Sequence, residues 1–246
     1  MKILVLAEGN VGEKIVEHLR DEFVNHISAI VTVSNNSITE LAKESGIETI
    51  VFRSSGELVE RIENIGIDMG ILAWWPYLIK EPFLSLPKKG FINTHPSYLP
   101  FNRGKHYNFW ALVEQVPFGV TLHTIDDSID KGKILAQRSI PYTWEDTGES
   151  LYYKAQEEMV ELFKESIFDI LNGNIVPVVP DYKKGSMHYS NELDIASEID
   201  LEKKYTAREL FNLLRARTFK GYPSCYFYDS NKKYEVRINI RRCENG

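Results

Sequence analysis

The sequence predicts an α/β protein with a Rossmann-like, doubly wound and mostly parallel sheet, followed by a small C-terminal extension of one helix and a β-hairpin. Two observations predict this fold. Short apolar runs, as at residues 2–7, are nearly continuous, which is typical of strands buried on both faces of a parallel sheet. These runs alternate with segments whose apolar residues recur at helical spacing, and that alternation indicates βαβ units.

The N-terminal part contains three strand–helix units and a fourth strand. Strands are predicted at residues 2–7, 26–33, 48–52 and 69–74, and helices at residues 13–20, 38–45 and 56–65. Residues 9–12 form a predicted tight turn, because the full G-x-G-x-x-G spacing of a dinucleotide-binding loop is missing. Ligands of such sheets bind beyond the carboxyl ends of the strands, where residues 74–77 and 93–96 are expected.

Two regions are predicted along the chain, with a boundary at Pro177 and Pro180. The remaining elements of the first region, residues 1–176, are predicted at residues 107–114, 119–126, 134–140 and 150–171, with an acidic turn at residues 126–132. The second region, residues 177–246, has a predicted helix at residues 206–217 and strands at residues 224–228 and 233–240.

Composition narrows the classes of function. The net charge is −6, whereas proteins that bind nucleic-acid backbones usually carry a strongly basic surface. No apolar run reaches the ~20 residues that cross a bilayer, and the apolar N-terminal stretch is too short for a secretory signal. No cluster of His, Cys and carboxylate residues has the spacing of metal ligands. We therefore expect a cytoplasmic protein that binds no nucleic acid, membrane or metal.

Asn93 and His95 are the first candidates for chemistry. Side chains two residues apart on an extended segment leave the same face, so both can reach one reacting centre. Pro96 and Pro100 restrict the loop that follows, and the acidic turn lies downstream. A lone histidine is more often structural, but this context favours a positioned acid–base group.

Three motifs in order carry a family resemblance. The chain reads N-T-H-P-S-Y-L-P at residues 93–100, G-V-T-L-H at residues 119–123 and D-K-G at residues 130–132. This order resembles the folate-dependent formyltransferase family, which includes methionyl-tRNA formyltransferase and glycinamide ribonucleotide transformylase. The resemblance covers most of residues 1–175. Lys133 departs from the acidic residue or proline that many relatives have at this position.

The resemblance implies 10-formyltetrahydrofolate as co-substrate and Asn93, His95 and Asp130 as the catalytic positions. The chemistry of formyl transfer suits these residue types. An amine displaces the donor nitrogen through a tetrahedral intermediate, so the site must remove a proton and stabilise an oxyanion. Asn93 can donate a hydrogen bond to that oxygen, His95 can accept or relay the proton, and Asp130 can orient His95 and favour its charged form.

The acceptor is suggested by residues 102–110 and 214–223, which look like the matching segments of sugar N-formyltransferases. Those enzymes modify amino groups of nucleotide-linked sugars, often linked to thymidine diphosphate (dTDP). Predicted acceptor-binding residues are Arg103, Gly104, Lys105, Arg215 and Tyr222, where basic groups suit a pyrophosphate and an aromatic ring suits a base. The alternative is that these are solvated surface residues.

The donor pocket is predicted from the segment after the fourth strand, where relatives place the folate pteridine, and from the acidic turn as its other wall. The predicted donor-binding residues are Trp75, Pro76, Tyr77, Ile125, Asp126 and Asp127. The alternative is that the aromatic rings serve core packing and that the aspartates cap local turns.

The sequence therefore predicts an enzyme that formylates a nucleotide-linked 3- or 4-amino-dideoxysugar, with dTDP as the expected carrier, for surface polysaccharide. Formyltetrahydrofolate hydrolysis uses the same three residues, but a hydrolase needs no basic, aromatic acceptor loop. Transfer RNA as acceptor would call for a larger, basic C-terminal domain. A non-catalytic binding module is disfavoured because the three positions are intact. The C-terminal region is assigned to acceptor binding and dimerisation, and the homodimer is a hypothesis based on edge strands.

Overall fold

The computed structural model describes residues 1–126 and 129–243 of the chain. Its strands are β1 Ile3–Ala7, β2 Ile27–Thr32, β3 Thr49–Val51, β4 Met69–Ala73, β5 Phe91–His95, β6 Arg103–Gly104, β7 Gly119–Thr124, β8 Ile134–Ser139, β9 Met187–His188, β10 Cys225–Asp229 and β11 Lys232–Val236. Its α-helices are α1 Gly9–Phe23, α2 Ser37–Glu44, α3 Ser55–Ile62, α4 Tyr107–Glu114, α5 Gly148–Asn172, α6 Glu192–Ala196 and α7 Ala207–Ala216.

The central sheet, counted over the described residues, has seven strands in the order β3-β2-β1-β4-β5-β7-β8. β1 pairs in parallel with β2 and β4, β2 with β3, and β4 with β5. β5 pairs antiparallel with β7. The predicted α/β class with a mostly parallel sheet is therefore confirmed, and the antiparallel pair brings two of the sequence motifs side by side.

Continuous burial explains the apolar runs of the central strands. All residues of β1 and β4 are buried, so neither face of these strands needs polar side chains. The ring of Phe91 occupies the space where a Cβ of residue 70 would lie, so glycine at position 70 lets this ring reach the core. The buried cluster around these strands consists of Leu4, Leu6, Ala29, Val31, Ile50, Leu58, Ile62, Ile67, Leu72, Trp75, Phe83 and Phe91.

The first helix begins earlier than its sequence pattern predicts. The tight turn predicted at residues 9–12 is wrong, because these residues form the first turn of α1. Gly9 has a φ of +64°, which turns the chain directly from β1 into the helix. A Cβ at Gly12 would lie 3.0 Å from the carbonyl oxygen of Ala73 and 3.3 Å from the Cβ of Ala7, so glycine permits this close approach.

The chain folds into two compact units. The first unit comprises Met1–His95, Thr121–Gln137 and Met159–Val179, and the second unit comprises Pro96–Val120, Arg138–Glu158 and Pro180–Gly246. Each unit draws on several stretches of the chain. The division into residues 1–176 and 177–246 stays a prediction. Among the described residues, no helix is both long and apolar enough to span a membrane.

The second unit contains the predicted helix and hairpin. Helix α7 begins with a capping box, in which the Thr206 side chain accepts a hydrogen bond from the Glu209 amide and the Glu209 carboxylate accepts one from the Thr206 amide. β10 and β11 pair antiparallel, and β11 ends at Val236, short of the predicted residue 240. The short parallel pair of β6 with β9 was not predicted, because two-residue strands have no recognisable periodicity.

Candidate active site

The antiparallel pairing of β5 with β7 builds the candidate site. Asn93 lies opposite His123 in this register, and His95 lies opposite Thr121. The sequence motifs that contain Asn93 and His123 are therefore adjacent in space. His123 belongs to the motif at residues 119–123, but its contact with Asn93 depends on the register of the two strands, which the motifs alone do not predict.

Asp130 faces both histidines from the turn between β7 and β8. Its Oδ1 lies 3.6 Å from Nδ1 of His95 and 3.8 Å from Nε2 of His123. The side chains of His95 and Asp130 are 6% and 13% exposed, so solvent screens their attraction only weakly. Asp130 has a φ of +49°, a strained conformation for a residue other than glycine, which often marks a functional position. The three predicted catalytic residues are thus close neighbours.

His123 is held in its neutral form. Its Nδ1 lies 2.8 Å from the carbonyl oxygen of Thr124, and a carbonyl only accepts, so Nδ1 carries the proton. Burial, and next the neighbouring His95, lower the pKa of His123 to about 4, although the carboxylate of Asp130 acts in the opposite direction. Nε2 of His123 is therefore a lone-pair acceptor at neutral pH.

This acceptor fixes the side-chain amide of Asn93. Nδ2 of Asn93 lies 3.2 Å from Nε2 of His123 and donates to it. A flipped amide would place its oxygen against this lone pair, which is unfavourable. The contact therefore fixes the positions of Oδ1 and Nδ2 in the Asn93 side chain. One N–H of Asn93 is used by His123, and the second remains to stabilise negative charge on a reacting oxygen.

His95, His123 and Asp130 also have the composition of a metal-binding group. One ligand atom from each lies within 4.8 Å of the others. Two histidines and one carboxylate suit transition metals. However, Nε2 of His123 already accepts from Asn93, and a metal there would break the contact that orients this amide. A metal-free site therefore stays the prediction.

The predicted donor-binding residues occupy two environments. Trp75 is only 9% exposed and packs edge-to-face against Phe52, whereas Tyr77 is 48% exposed and stacks on Phe52. Trp75 is thus mainly a core residue, as the packing alternative proposes, and Pro76 is exposed. Ile125 donates its amide to the carbonyl of Phe91.

Of the two aspartates predicted to bind the donor, only Asp126 lies among the described residues. Asp126 is exposed, and Asp127 lies outside the described residues. The assignment of these segments to the donor stays a prediction.

The predicted acceptor-binding residues all lie in the second unit. Arg103 is buried at 7% exposure, whereas Lys105 and Tyr222 are exposed. Arg215 is buried and stacks on Trp144, and its guanidinium donates to backbone carbonyls and, through Nε, to Asn212. Its donors thus serve the protein itself, which supports a structural part for Arg215. A direct contact with the acceptor stays a prediction.

The chain matches two family models. Residues 1–167 match the model described as "Formyl transferase", and residues 192–242 match the model described as "N-formyltransferase dimerization C-terminal domain". A dTDP-4-amino-4,6-dideoxyglucose formyltransferase of Mycobacterium tuberculosis is 30% identical over 149 residues, which are 60% of this chain and 63% of that protein. A methionyl-tRNA formyltransferase of Caldanaerobacter subterraneus is 27% identical over 203 residues, 80% of this chain and 64% of that protein. The chain thus spans less than two thirds of these relatives.

Solved structures of similar fold cover nearly the whole chain. A 4-N formyltransferase from Francisella tularensis has a TM-score of 0.77 at 25% identity and covers 98% of both chains. An N-formyltransferase from Helicobacter canadensis, in complex with folinic acid and dTDP-3-aminofucose, has a TM-score of 0.74 at 22% identity and covers 95% of this chain and 86% of that one. With the family model matched over residues 1–167, and with Asn93, His95 and Asp130 grouped beside the β5–β7 pair, the chain belongs to the formyl transferase family.

Proposed function

We propose that this protein transfers a formyl group from 10-formyltetrahydrofolate to the amino group of a nucleotide-linked amino sugar. The observation that carries this proposal is the group of Asn93, His95 and Asp130, in which His123 fixes the Asn93 amide as a donor and the Asp130 carboxylate lies beside the buried imidazole of His95. Acyl transfer to an amine needs both functions in one place.

Each residue has a distinct part in the proposed reaction. The acceptor amine attacks the formyl carbon, and the free N–H of Asn93 stabilises the oxyanion that forms. His95 takes the proton that the amine loses and delivers it to N10 of the departing tetrahydrofolate. Asp130 stabilises the imidazolium between these two transfers, because its carboxylate lies 3.6 Å from Nδ1 of His95. The bond from the acceptor nitrogen to the formyl carbon forms first, and the bond from that carbon to N10 breaks when the tetrahedral intermediate collapses and N10 takes the proton from His95; no metal takes part.

The relatives support the choice of acceptor. The mycobacterial relative is named for dTDP-4-amino-4,6-dideoxyglucose, and the Helicobacter structure holds dTDP-3-aminofucose. We infer a dTDP-linked 3- or 4-amino-dideoxysugar as the acceptor here, in the synthesis of a surface polysaccharide in the cytoplasm. The description of the C-terminal family model supports a homodimer.

An acceptor panel tests this proposal. The purified protein is incubated with 10-formyltetrahydrofolate and, in turn, dTDP-linked 3-amino and 4-amino sugars, a UDP-linked amino sugar and methionyl-tRNA, and formylation is followed by mass spectrometry. We expect formylation of one dTDP-linked sugar. Methionyl-tRNA is the competing acceptor because of the Caldanaerobacter relative. Its formylation, or the absence of any formylated sugar, would contradict the proposal.

A further inference from the structure

Arg103 of β6 is a buried cation whose donors are not all used. The residue is 7% exposed, and its Nε and Nη1 have no hydrogen-bond partner within the described part of the chain. Its guanidinium carbon lies 5.3 Å from the centre of the Tyr182 ring. Burying a charge without a pairing group lowers the free energy of unfolding. A bound anion would offset that loss by pairing with the guanidinium.

The neighbouring acid does not pair with Arg103. Glu114 accepts hydrogen bonds from Nδ2 of Asn102 at 2.8 Å and from Oγ of Ser186 at 2.7 Å. Its other oxygen lies 2.8 Å from Nε2 of His188. Both oxygens of Glu114 are thus engaged by groups that hold β6 and β9 together, and the pairing charge for Arg103 must come from elsewhere.

The backbone around Arg103 is closely packed. Its amide donates to the carbonyl of Ser186 at 3.1 Å, and the Lys105 amide donates to the carbonyl of His188 at 3.0 Å. A Cβ at Gly104 would collide with the carbonyl oxygen of His188, and one at Gly185 would collide with that of Pro100. The two glycines permit this packing, so the position of the Arg103 backbone is defined before any ligand arrives.

Further positive charge lies along the same segments. Lys105 follows β6 directly, and Lys183 and Lys184 lie in the short 3-10 helix Tyr182–Lys184 that precedes β9. All three lysines are exposed, but Lys184 lies 3.8 Å from the carboxylate of Asp181, so Lys105 and Lys183 are the additional cations that matter here. Exposed lysines alone would indicate a solvated surface, but beside a buried guanidinium with unused donors they favour a ligand with more than one negative charge.

We propose that Arg103 binds the diphosphate of the nucleotide-sugar acceptor. Charge-assisted hydrogen bonds from Nε and Nη1 to phosphate oxygens would satisfy both unused donors, and a diphosphate carries enough negative charge for Lys105 and Lys183 as well. This inference rests on the proposed function for its choice of ligand. The donor's glutamyl carboxylates are the other oxyanions available in the reaction, and the experiment separates the two.

Arg215 provides the matched control. It is also a buried arginine of the second unit, but its donors are used by backbone carbonyls and by Asn212. Arg103→Met and Arg215→Met remove the same charge from sites of similar burial. Without ligand, Arg103→Met should melt at or above the wild-type temperature, because it removes an unpaired buried charge, whereas Arg215→Met should melt at a lower temperature.

Calorimetric titration then identifies the ligand. The wild-type protein and Arg103→Met are titrated with inorganic pyrophosphate, with dTDP and with folinic acid. We expect Arg103→Met to bind pyrophosphate and dTDP about 10–100-fold more weakly, as for loss of a charge-assisted pair, and to bind folinic acid normally. Equal pyrophosphate and dTDP binding by the two proteins, or weaker binding of folinic acid only, would overturn the proposal.

The melting data provide an independent check. If ligand-free Arg103→Met melts well below wild type, as Arg215→Met does, Arg103 is satisfied within the protein and the proposal is wrong. These measurements need no catalytic turnover. The proposed function can therefore fail in the acceptor panel while diphosphate binding stands, or hold while diphosphate binding at Arg103 fails.

Discussion

The β5–β7 pair and the β6–β9 pair each carry buried polar side chains, but the two regions satisfy them differently. At β5–β7, the amide of Asn93 bonds to His123, and Asp130 lies within 4 Å of two histidines. At β6–β9, Arg103 has unused donors on Nε and Nη1 within the described residues. The polar groups of the first region thus contact one another within the protein, whereas the second retains a buried cation with unused donors. If the proposal for Arg103 holds, part of the binding affinity for the acceptor comes from pairing that charge.

The largest expected effect tests the first region. Asn93→Ala removes the donor to the oxyanion, so kcat for formyl transfer should fall about 10²–10³-fold, as for other losses of such a donor. Steady-state kinetics with donor and acceptor measures this, and Asn172→Ala, at an exposed position, should leave kcat unchanged. A wild-type kcat for Asn93→Ala would remove Asn93 from the catalytic site.

The second prediction concerns stability, which should depend on Arg215 but not on Arg103. Arg215→Met should lower the free energy of unfolding by about 1.5–3 kcal/mol, because hydrogen bonds from its charged guanidinium to carbonyls are lost. Urea denaturation measures the change. Arg208→Met is the matched surface control, since Arg208 is exposed and its guanidinium stacks on Trp144. An unchanged stability of Arg215→Met would mean that its carbonyl contacts contribute nothing.

The role of His123 gives a smaller effect on turnover. His123→Phe removes the lone pair that orients Asn93, so kcat should fall about tenfold, a loss on the scale of about 1 kcal/mol for one hydrogen bond. The KM for donor and acceptor should stay nearly constant, because His123 acts through Asn93. His123→Gln restores an acceptor oxygen and should recover part of the loss. Equal activity of His123→Phe and wild type would leave Asn93 positioned by other contacts.

The smallest effect is on the pH dependence of stability. The folded-state pKa of His123 is lowered from its model-compound value of 6.5 to about 4, so the unfolded chain binds more protons between these values. Above about pH 6.5 His123 is neutral in both the folded and the unfolded state, and the protein loses stability as pH falls from 6.5 towards 4 because only the unfolded chain takes up this proton. As pH is lowered from 7 to 4.5, the melting temperature should fall more steeply for wild type than for His123→Gln. His26→Gln, at an exposed histidine, should follow wild type. Parallel curves for wild type and His123→Gln would show that His123 is not held neutral.

Sequence patterns predict the parts of the fold that repeat along the chain. The apolar run at β1 marks a strand because both of its faces are buried, and α7 is marked by its capping residues Thr206 and Glu209. The start of α1 was missed because Glu8 makes no side-chain cap and Gly9 reaches the helix through a positive φ. A helix start that depends on the positive φ of one glycine leaves no capping residue or apolar spacing in the sequence from which to predict it.

The candidate site divides in the same way. Asn93, His95 and Asp130 were found because their motifs are ordered along the chain, whereas the contact of Asn93 with His123 depends on strand register. The sequence assigns Arg103 and Arg215 to the same acceptor site, since both are basic residues in segments similar to those of sugar N-formyltransferases. Both side chains are buried, and only their hydrogen-bond partners separate them, which depend on distant parts of the chain.

The central claim is that the site transfers the formyl group to an amine rather than to water. The most direct test measures two products in one reaction, tetrahydrofolate by its absorbance and formylated dTDP-amino sugar by mass spectrometry. Equal amounts of the two products, with tetrahydrofolate release that depends on the acceptor, are the predicted result. Tetrahydrofolate release at the same rate without acceptor, and without a formylated sugar, would contradict the account and identify a hydrolase.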